Sequence, residues 1–433
     1  MNNQRKNISI MGLGYVGITL AAAFLLKGQK VTGVEIKESI RSSLKDGQLH
    51  IQEPGMETII KESVDQKRFL IRSKLPDQVD TVFICVGTPF DKASGQPVLC
   101  YIEEALKMLN GKISEETLII VRSTVPIGTT NKVYQLLKEY VDEPKVVFAP
   151  ERTIQGKALK ELLSLPQIIG TANAQHFKEA KEIFELLQVE ILRVHSLEAA
   201  ELIKLACNSH TDLIYSFGNE LANIANCFDL DVYEVIEAAN HHYPRPDICK
   251  PGYVGGSCLT KDPYHLIFAA QQNGYMPRLI HSARQLNEKM PEIILNQIER
   301  KLEKAWKDVT VTISGLAYKG VPETDDLRGS AVWDMIHLLK LRGVNSIRGH
   351  DFVLNREKIL GIGIEPISFE EGLLHSDVTI ILNNHHKYLE VDIKETVSKM
   401  NKNFILYDLW GVWKERFESF TSTINYMGVG YNG

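Results

Sequence analysis

The feature of this sequence that most constrains its fold is a glycine-rich turn between a short apolar run and a helix-forming segment. Residues 7–11 predict a strand, and the Ala/Leu-rich segment after the turn predicts a helix that ends near Lys27, just before Gly28. In dinucleotide-binding folds the three glycines of such a turn permit tight turning, close approach to a pyrophosphate and helix–strand packing. The context therefore predicts a Rossmann-type domain rather than a turn without a ligand. The predicted cofactor-binding residues of this turn are Gly12, Gly14, Tyr15, Val16 and Gly17.

An acidic residue ends the second predicted strand, residues 30–35. Glu35 follows the glycine-rich turn at a spacing of about twenty residues, where a carboxylate accepts hydrogen bonds from the ribose hydroxyls of adenosine. The same carboxylate repels the 2′-phosphate of NADP, so the sequence predicts NAD as the cofactor. Lys37 and Arg41 lie nearby and act in the opposite direction.

Three further strand-and-loop units follow: a buried-strand run over residues 81–86 that ends in residues 87–89, a run over residues 118–126 and a run over residues 146–152. In a doubly wound sheet, ligands bind at the carboxyl ends of the strands. The candidates at these ends are Thr88, Thr124 and Glu151. For the two threonines a role as a helix cap or a turn residue is an equal alternative.

A second informative stretch places a thiol, an ammonium and a carboxylate within five residues, at Cys258, Lys261 and Asp262. It follows the glycine pair Gly255-Gly256, which lets the backbone come close to a ligand. Beside a dinucleotide domain, such a cysteine suggests addition of a thiolate to an aldehyde and hydride loss to a thioester. The alternative is a cysteine that serves only as a small buried apolar residue.

Composition excludes several classes of protein. The 433 residues predict two or three domains, and the net charge of −5 without a basic block argues against nucleic-acid binding. The longest apolar run, residues 18–26, is too short to span a membrane, and the start lacks a signal-peptide layout, so a cytoplasmic protein is expected. Six scattered cysteines form no Cys-x-x-Cys pair. The pairs His241-His242 and His385-His386 have no carboxylate at ligand spacing in the sequence, and no metal is expected.

The middle of the chain predicts one long helix over residues 198–226. Lys204 and Asn208 are four residues apart, so they share one face of that helix. An isolated lysine on a helix usually faces solvent, but the apolar neighbours of Lys204 predict burial in a cleft between two α/β domains. Residues 309–315, 345–351, 378–382 and 404–408 predict the strands of the second α/β domain.

These motifs, in this order, resemble the UDP-glucose/GDP-mannose dehydrogenase family over nearly the whole chain. The resemblance also rests on residues 86–89, 123–129, 150–151, 201–208, 315–319 and 324–328. It implies a double oxidation of a sugar nucleotide at C6 with two molecules of NAD. It implies an α/β fold of two Rossmann-like doubly wound domains joined by a central long helix and a helical dimerisation region. The implied domains are 1–197 for NAD, 198–302 for the centre and 303–433 for UDP, in a homodimer or higher homo-oligomer.

The resemblance also implies the roles of individual residues. The implied catalytic residues are Cys258, Lys204, Asn208, Asp262, Glu151 and Thr124. Beyond the glycine-rich turn, the implied cofactor-binding residues are Glu35, Thr88, Thr124, Lys261 and Arg328. The implied substrate-binding residues are Glu151, Arg152, Lys204, Asn208, Arg245, Gly252, Gly255 and Lys319.

Within the family, Pro150-Glu151-Arg152 and residues 240–246 resemble the branch that acts on UDP-N-acetylhexosamines. UDP-glucose is the alternative substrate. A single-step hydroxyacid dehydrogenase and a non-catalytic sugar-nucleotide binder are rivals from other classes, and the joint presence of Cys258, Lys204, Asn208 and Asp262 argues against both.

Overall fold

The computed structural model describes residues 7–244, 246–392, 400, 403–417 and 424–432. The chain divides into two compact units. Unit 1 consists of Met1–Cys207 and Tyr264–Met276, and unit 2 consists of Asn208–Pro263 and Pro277–Gly433. The chain therefore passes from one unit to the other three times, the first time inside a helix.

Unit 1 is built on a parallel sheet. Its strands are β1 (Ile8–Met11), β2 (Val31–Val34), β3 (Phe69–Arg72), β4 (Thr81–Ile84), β5 (Phe90–Asp91), β6 (Gln96–Pro97), β7 (Leu118–Val121), β8 (Lys145–Phe148), β9 (Gln167–Gly170) and β10 (Ile191–Val194). Eight of them form one sheet in the order β10-β9-β8-β7-β4-β1-β2-β3, and β5 and β6 form a separate hairpin. Neighbouring strands of the large sheet are parallel except β8 and β9.

Helices cover both faces of this sheet because its strands carry apolar side chains on both sides. In β7, Ile120 packs into the core on one face, whereas Ile119 packs into the core on the other face. The helices of this part of the chain are α1 (Tyr15–Leu26), α2 (Glu38–Lys45), α3 (Met56–Asp65), α4 (Cys100–Lys107), α5 (Thr129–Leu137), α6 (Ala158–Leu162), α7 (Ala174–Glu185) and the 31-residue α8 (Leu197–Cys227).

The chain continues with four helices, α9 (Val232–Asn240), α10 (Gly256–Leu259), α11 (Asp262–Gln272) and α12 (Arg278–Glu299). A second sheet follows, with strands β11 (Thr310–Ser314), β12 (Ser346–His350), β13 (Glu365–Pro366), β14 (Val378–Ile381), β15 (Ile405–Asp408), β16 (Asn425–Gly428) and β17 (Tyr431–Asn432). Its order is β13-β12-β11-β14-β15-β16-β17, parallel except for the last pair. The remaining helices are α13 (Ala331–Leu341), α14 (Arg356–Gly361), α15 (Phe369–Leu374) and α16 (Lys414–Phe417), with 3-10 turns at Trp306–Asp308 and His386–Glu390.

The predicted fold class is confirmed: two doubly wound α/β sheets are connected by a long helix and a helical region. The central helix, predicted over residues 198–226, spans Leu197–Cys227. No helix among the described residues is both long and apolar enough to cross a bilayer.

Candidate active site

The glycine-rich turn has the backbone that a dinucleotide requires. Gly12 has a φ of +85°, and a Cβ on Gly17 would lie only 1.9 Å from the Gly12 carbonyl oxygen. A Cβ on Gly14 would meet no heavy atom within 4 Å, so the turn is open on that side. Gly14 is also the N-cap of α1, and without a side chain it leaves the first N–H groups of the helix to a ligand. The turn therefore fits a pyrophosphate.

Glu35 is buried beside this turn. One carboxylate oxygen accepts from the backbone N–H of Leu13 at 2.9 Å, and the other accepts from that of Lys37 at 3.0 Å. Arg41 donates to the Glu35 carbonyl at 2.6 Å and pairs with the carboxylate of Glu38, so its guanidinium is already engaged. A fixed carboxylate at the end of β2 fits the ribose of NAD.

We expect the wild-type enzyme to prefer NAD to NADP by about ten- to a hundred-fold in kcat/KM, the range set by one charge-assisted hydrogen bond of about 1.5–3 kcal/mol. The change Glu35→Gln should reduce this preference because it removes the charge that repels a 2′-phosphate. Glu62→Gln, at an exposed position on α3, is the matched control. Equal values for the two cofactors in the wild type would contradict the assignment of Glu35.

Tyr15, in the glycine-rich turn, contacts Glu53, which was not among the predicted site residues. Its hydroxyl donates to the carboxylate of Glu53, which is buried. The same carboxylate accepts from the backbone N–H groups of Gly156 and Ala158, each at 2.7 Å. Glu53 therefore fixes the loop between β8 and α6 to the glycine-rich turn. Its place in a Glu-Pro-Gly turn was the only signal in the sequence.

The two candidate threonines contact each other through the backbone. The Thr88 hydroxyl donates to the Thr124 carbonyl, and Thr88 is 4% exposed. The Thr88 carbonyl lies 3.0 Å from Nε2 of the buried His265 on α11, and the ring of Phe90 stacks on that of Tyr264. These contacts hold α11 against the loop after β4. Thr124 is only half-buried, so its side chain is the more accessible of the two.

Glu151 lies in a buried ion pair. Its carboxylate accepts from Arg122 at 2.6 Å and from the backbone N–H groups of Arg152 and Thr153 at 2.9 and 3.0 Å. Burial alone would raise the pKa of Glu151, but the charges of Arg122 and, more weakly, Lys204 lower the pKa below its usual value. Glu151 is therefore a carboxylate at neutral pH, better suited to fix charge than to accept a proton.

The remaining candidates of unit 1 are Arg152 and Lys204. Arg152 donates to the Pro166 carbonyl at 2.6 Å, which anchors its side chain beside Glu151. Lys204 is 6% exposed, as the sequence predicts, although its neighbour Leu202 is 43% exposed. Arg122, which the sequence analysis did not select, is 1% exposed and carries the charge that balances Glu151.

In unit 2, the thiol of Cys258 is exposed on the short helix α10. The backbone before it is buried and tightly packed. Gly256 has a φ of +91°, and its N–H donates to the Gly329 carbonyl at 3.0 Å. A Cβ on Gly255 would lie 2.5 Å from the same oxygen, and one on Gly256 would lie 2.7 Å from the Tyr318 ring. The glycine pair thus allows the turn to pack on the loop after β11.

Asp262 is completely buried at the start of α11. Its carboxylate pairs with the ammonium of Lys261 at 2.6 Å and accepts from the side-chain amide of Asn208. The structure thus brings together three of the predicted residues. Lys261, predicted to bind the cofactor, has Asp262 as its partner here.

Arg328 and Lys319 lie on the loop after β11. Arg328 makes hydrogen bonds of 2.7–3.1 Å to the carboxylate of Asp326, and Asp326 first and Cys258 more weakly raise the pKa of its guanidinium. The Lys319 ammonium lies 5.4 Å from the centroid of the Tyr318 ring. Gly252 makes hydrogen bonds through both its N–H and its carbonyl to Asn219, at 2.8 and 2.9 Å. Arg245 lies outside the described residues.

The histidine pair at 385–386 has a carboxylate neighbour that the sequence does not reveal. Glu323 lies 3.1 Å from Nε2 of His385 and 3.5 Å from Nδ1 of His386, and the two rings stack rather than diverge. Burial lowers the pKa of His385, so its imidazole is neutral, and Nδ1 accepts from the Lys387 N–H at 3.2 Å. The proton of His385 then resides on Nε2, which disfavours metal binding through that atom.

Comparison with known proteins identifies the family of the chain. Three models of the UDP-glucose/GDP-mannose dehydrogenase family match the chain: the NAD binding domain at residues 6–188, the central domain at 198–289 and the UDP binding domain at 312–415. A UDP-N-acetyl-D-mannosamine dehydrogenase from Campylobacter jejuni is 31% identical over 422 residues, which cover 92% of this chain and 99% of the relative.

Two solved structures are similar over almost the whole chain. The UDP-D-ManNAc dehydrogenase from Pyrococcus horikoshii has a TM-score of 0.87 at 29% identity and covers 98% of this chain and 99% of its own. A UDP-glucose dehydrogenase from Pyrobaculum islandicum has a TM-score of 0.85 at 27% identity and covers 100% and 99%. The chain belongs to the UDP-glucose/GDP-mannose dehydrogenase family and is an NAD-dependent nucleotide-sugar dehydrogenase.

Proposed function

We propose that this enzyme oxidises a UDP-N-acetylhexosamine at C6 to the uronic acid, with Cys258 as the nucleophile. The observation that carries the proposal is an exposed thiol on a tightly held turn, four residues before a buried carboxylate that has both an amide and an ammonium partner. A one-step dehydrogenase needs no such thiol.

Bound NAD supplies the hydride acceptor for each of the two oxidations. Asp262 receives the proton of the C6 hydroxyl, directly or through a water, in the first oxidation. Asn208 and Lys261 hold the carboxylate of Asp262 in place from two sides. Thr124 is proposed to contact the cofactor at the reaction centre. Glu151 and Lys204 are proposed to contact the substrate there.

In the second oxidation the Cys258 thiolate adds to the aldehyde carbon, and the C6 oxygen becomes an alkoxide. Asn208 and Lys204 are the proposed donors to that oxyanion. Loss of a hydride from C6 leaves a thioester on Cys258. Asp262 first releases the proton it took from the C6 hydroxyl to solvent. Water then attacks the thioester carbonyl while Asp262 takes one proton from the water, and the C–S bond breaks to give the uronic acid and the regenerated thiolate. The acid loses the second proton of that water to solvent and becomes the carboxylate.

The substrate class rests on two observations. Pro150-Glu151-Arg152 matches the pattern of the N-acetylhexosamine branch, and the Campylobacter and Pyrococcus relatives bear the names of enzymes for UDP-N-acetyl-D-mannosamine. UDP-N-acetylmannosamine is therefore the first candidate and UDP-N-acetylglucosamine the second. UDP-glucose is the alternative because the Pyrobaculum neighbour is named for it.

We expect a UDP-N-acetylhexosamine to exceed UDP-glucose by about ten- to two-hundred-fold in kcat/KM, because a pocket that pairs with the N-acetyl group leaves polar atoms unmatched when UDP-glucose binds. The measurement is NADH release with a panel of UDP- and GDP-sugars at equal concentration. A higher value for UDP-glucose would refute the branch assignment and leave the role of Cys258 untouched.

A homodimer is part of the proposal. Large apolar side chains on the second half of α8 and just after it are exposed in the single chain: Phe217, Ile224, Phe228 and Leu230. Several large apolar side chains exposed on one stretch of chain are typical of an interface between subunits. We also propose that the chain has three domains, with boundaries at 197/198 and 302/303. In the last of them, Lys319 is proposed to bind the UDP part of the substrate.

A further inference from the structure

A buried arginine lies at the centre of a polar network in unit 2. Arg284 on α12 is 0% exposed, and its Nη1 donates to the carboxylate of Asp212 on α8 at 2.6 Å. Asn287, one turn further along α12, donates to the same carboxylate at 2.8 Å and to the Asp212 carbonyl at 3.0 Å. The charge of Arg284 is thus balanced inside the protein.

The same guanidinium also reaches the turn that carries Cys258. Nη1 donates to the Leu259 carbonyl at 3.0 Å, and Nη2 lies 3.4 Å from the Val254 carbonyl. In the sequence, these two carbonyls flank the segment Gly255–Cys258, one immediately before it and one immediately after it. One rigid, planar group therefore fixes both ends of the segment that presents the nucleophile.

Asn219 extends the network to the start of this segment. Its side chain makes hydrogen bonds to the N–H and to the carbonyl of Gly252, and its amide also donates to Asn287 at 2.9 Å. Asn219 is itself completely buried. The main chain from Gly252 to Leu259 is therefore anchored at three residues by a single connected set of side chains.

Such anchoring is needed because the segment contains two adjacent glycines, which lose more conformational freedom on ordering than any other residue. Removing a guanidinium from water is unfavourable, so the buried Arg284–Asp212 pair is weak evidence for added stability. In some proteins such a pair instead selects one conformation over others. A lysine offers three donors from a point charge and cannot span two carbonyls and a carboxylate with the same geometry.

We propose that Arg284 is a positioning residue for Cys258: it holds the carbonyls of Val254 and Leu259 so that the thiol stays in the orientation required for attack on the aldehyde. Arg284 acts through the main chain and does not touch the substrate. The inference rests on the proposed role of Cys258 in catalysis, but the geometry of the turn can be tested without turnover.

The test is the alkylation rate of each cysteine by iodoacetamide, mapped by peptide mass spectrometry, in the wild type and in Arg284→Lys. Exposed Cys100 reports the reagent's intrinsic rate, and buried Cys85 reports unfolding of unit 1. Half-buried Cys249 lies in unit 2 and reports unfolding of the unit that contains Arg284 and Cys258. We expect Cys258 to react about three- to tenfold faster in the variant, because the loosened turn gives the reagent more access, with Cys85, Cys100 and Cys249 unchanged. Arg278→Lys, exposed on the same helix, is the matched control.

Turnover provides the second readout. A misplacement of the nucleophile by about 1 Å costs on the order of 100-fold, so kcat should fall by about that factor while KM for the UDP-sugar changes less than about threefold. Unchanged kcat and unchanged Cys258 alkylation would overturn the proposal, as would equal acceleration at Cys85 or Cys249. If Arg284→Lys does not fold, Asn219→Ala replaces it with the same expectations, and failure of both to fold would show a purely structural role. A wrong nucleophile assignment would appear separately, as an active Cys258→Ser enzyme.

Discussion

Replacing Cys258 with serine is expected to lower the rate of uronic-acid formation by at least about 1,000-fold, the scale on which loss of a nucleophile acts. A serine hydroxyl has a much higher pKa than a thiol, so it forms the adduct with the aldehyde slowly and leaves poorly from the resulting ester. The first oxidation does not use the thiol. A small amount of NADH, at most one per sugar, should therefore still form in a single-turnover experiment.

The measurement is the ratio of NADH to acid, followed by absorbance and by chromatography of the sugar nucleotide. Cys100→Ser is the matched control because Cys100 is also exposed and lies in unit 1 on α4. Two NADH per sugar at the wild-type rate from Cys258→Ser would remove Cys258 from the mechanism. That result would instead support a mechanism in which water adds directly to the aldehyde and no covalent intermediate forms.

Asp262→Asn is the change with the next largest expected effect, a fall in kcat of about 10²–10⁴-fold, which is the usual contribution of a positioned base. The asparagine is close in shape, but it takes no proton and leaves Lys261 without its carboxylate partner. Because Asp262 is buried and need not contact the nucleotide, KM for the UDP-sugar should change far less than kcat.

Rapid-mixing measurements of the first NADH formed would separate the proton-transfer step from later hydrolysis. Asp308→Asn, at an exposed position of unit 2, controls for a general effect of losing a carboxylate. A variant that keeps more than about a third of the wild-type kcat would be incompatible with Asp262 as the base.

Much of the fold was predictable because its main strands are continuous apolar runs next to glycine. β1, β2 and β4 were predicted to within two residues at each end, a usual boundary error. The predicted runs 118–126 and 146–152 extend five and four residues beyond β7 and β8, because they include the loops that follow these strands. The strands at the sheet edges were not predicted. β3 alternates buried and exposed residues and β10 is only half-buried, so neither carries the strong apolar signal of a central strand. β16 and β17 are short and lie near the end of the chain.

The site was predictable where its residues lie in local motifs. Cys258, Lys261 and Asp262 fall within five residues of sequence, and the structure places the predicted Asn208 against Asp262. The catalytic roles of these residues remain predictions. The residues that were missed are charged groups whose partners are main-chain atoms far along the chain. Glu53, for example, accepts from Ala158, 105 residues later, and nothing in the local pattern around Glu53 reveals that contact.

The tight packing of the glycines near Cys258 limits which substitutions this part of the enzyme can accept during evolution. Gly252 packs against the Trp410 ring, Gly255 against the Gly329 carbonyl and Gly256 against the Tyr318 ring. The loops that follow strands of the second sheet therefore hold these glycines in position. No substitution at these glycines can shift the thiol by a graded amount, because any side chain collides with its neighbour. We therefore expect a change of sugar specificity to arise from residues that line the sugar, with the position of the Cys258 thiol unchanged.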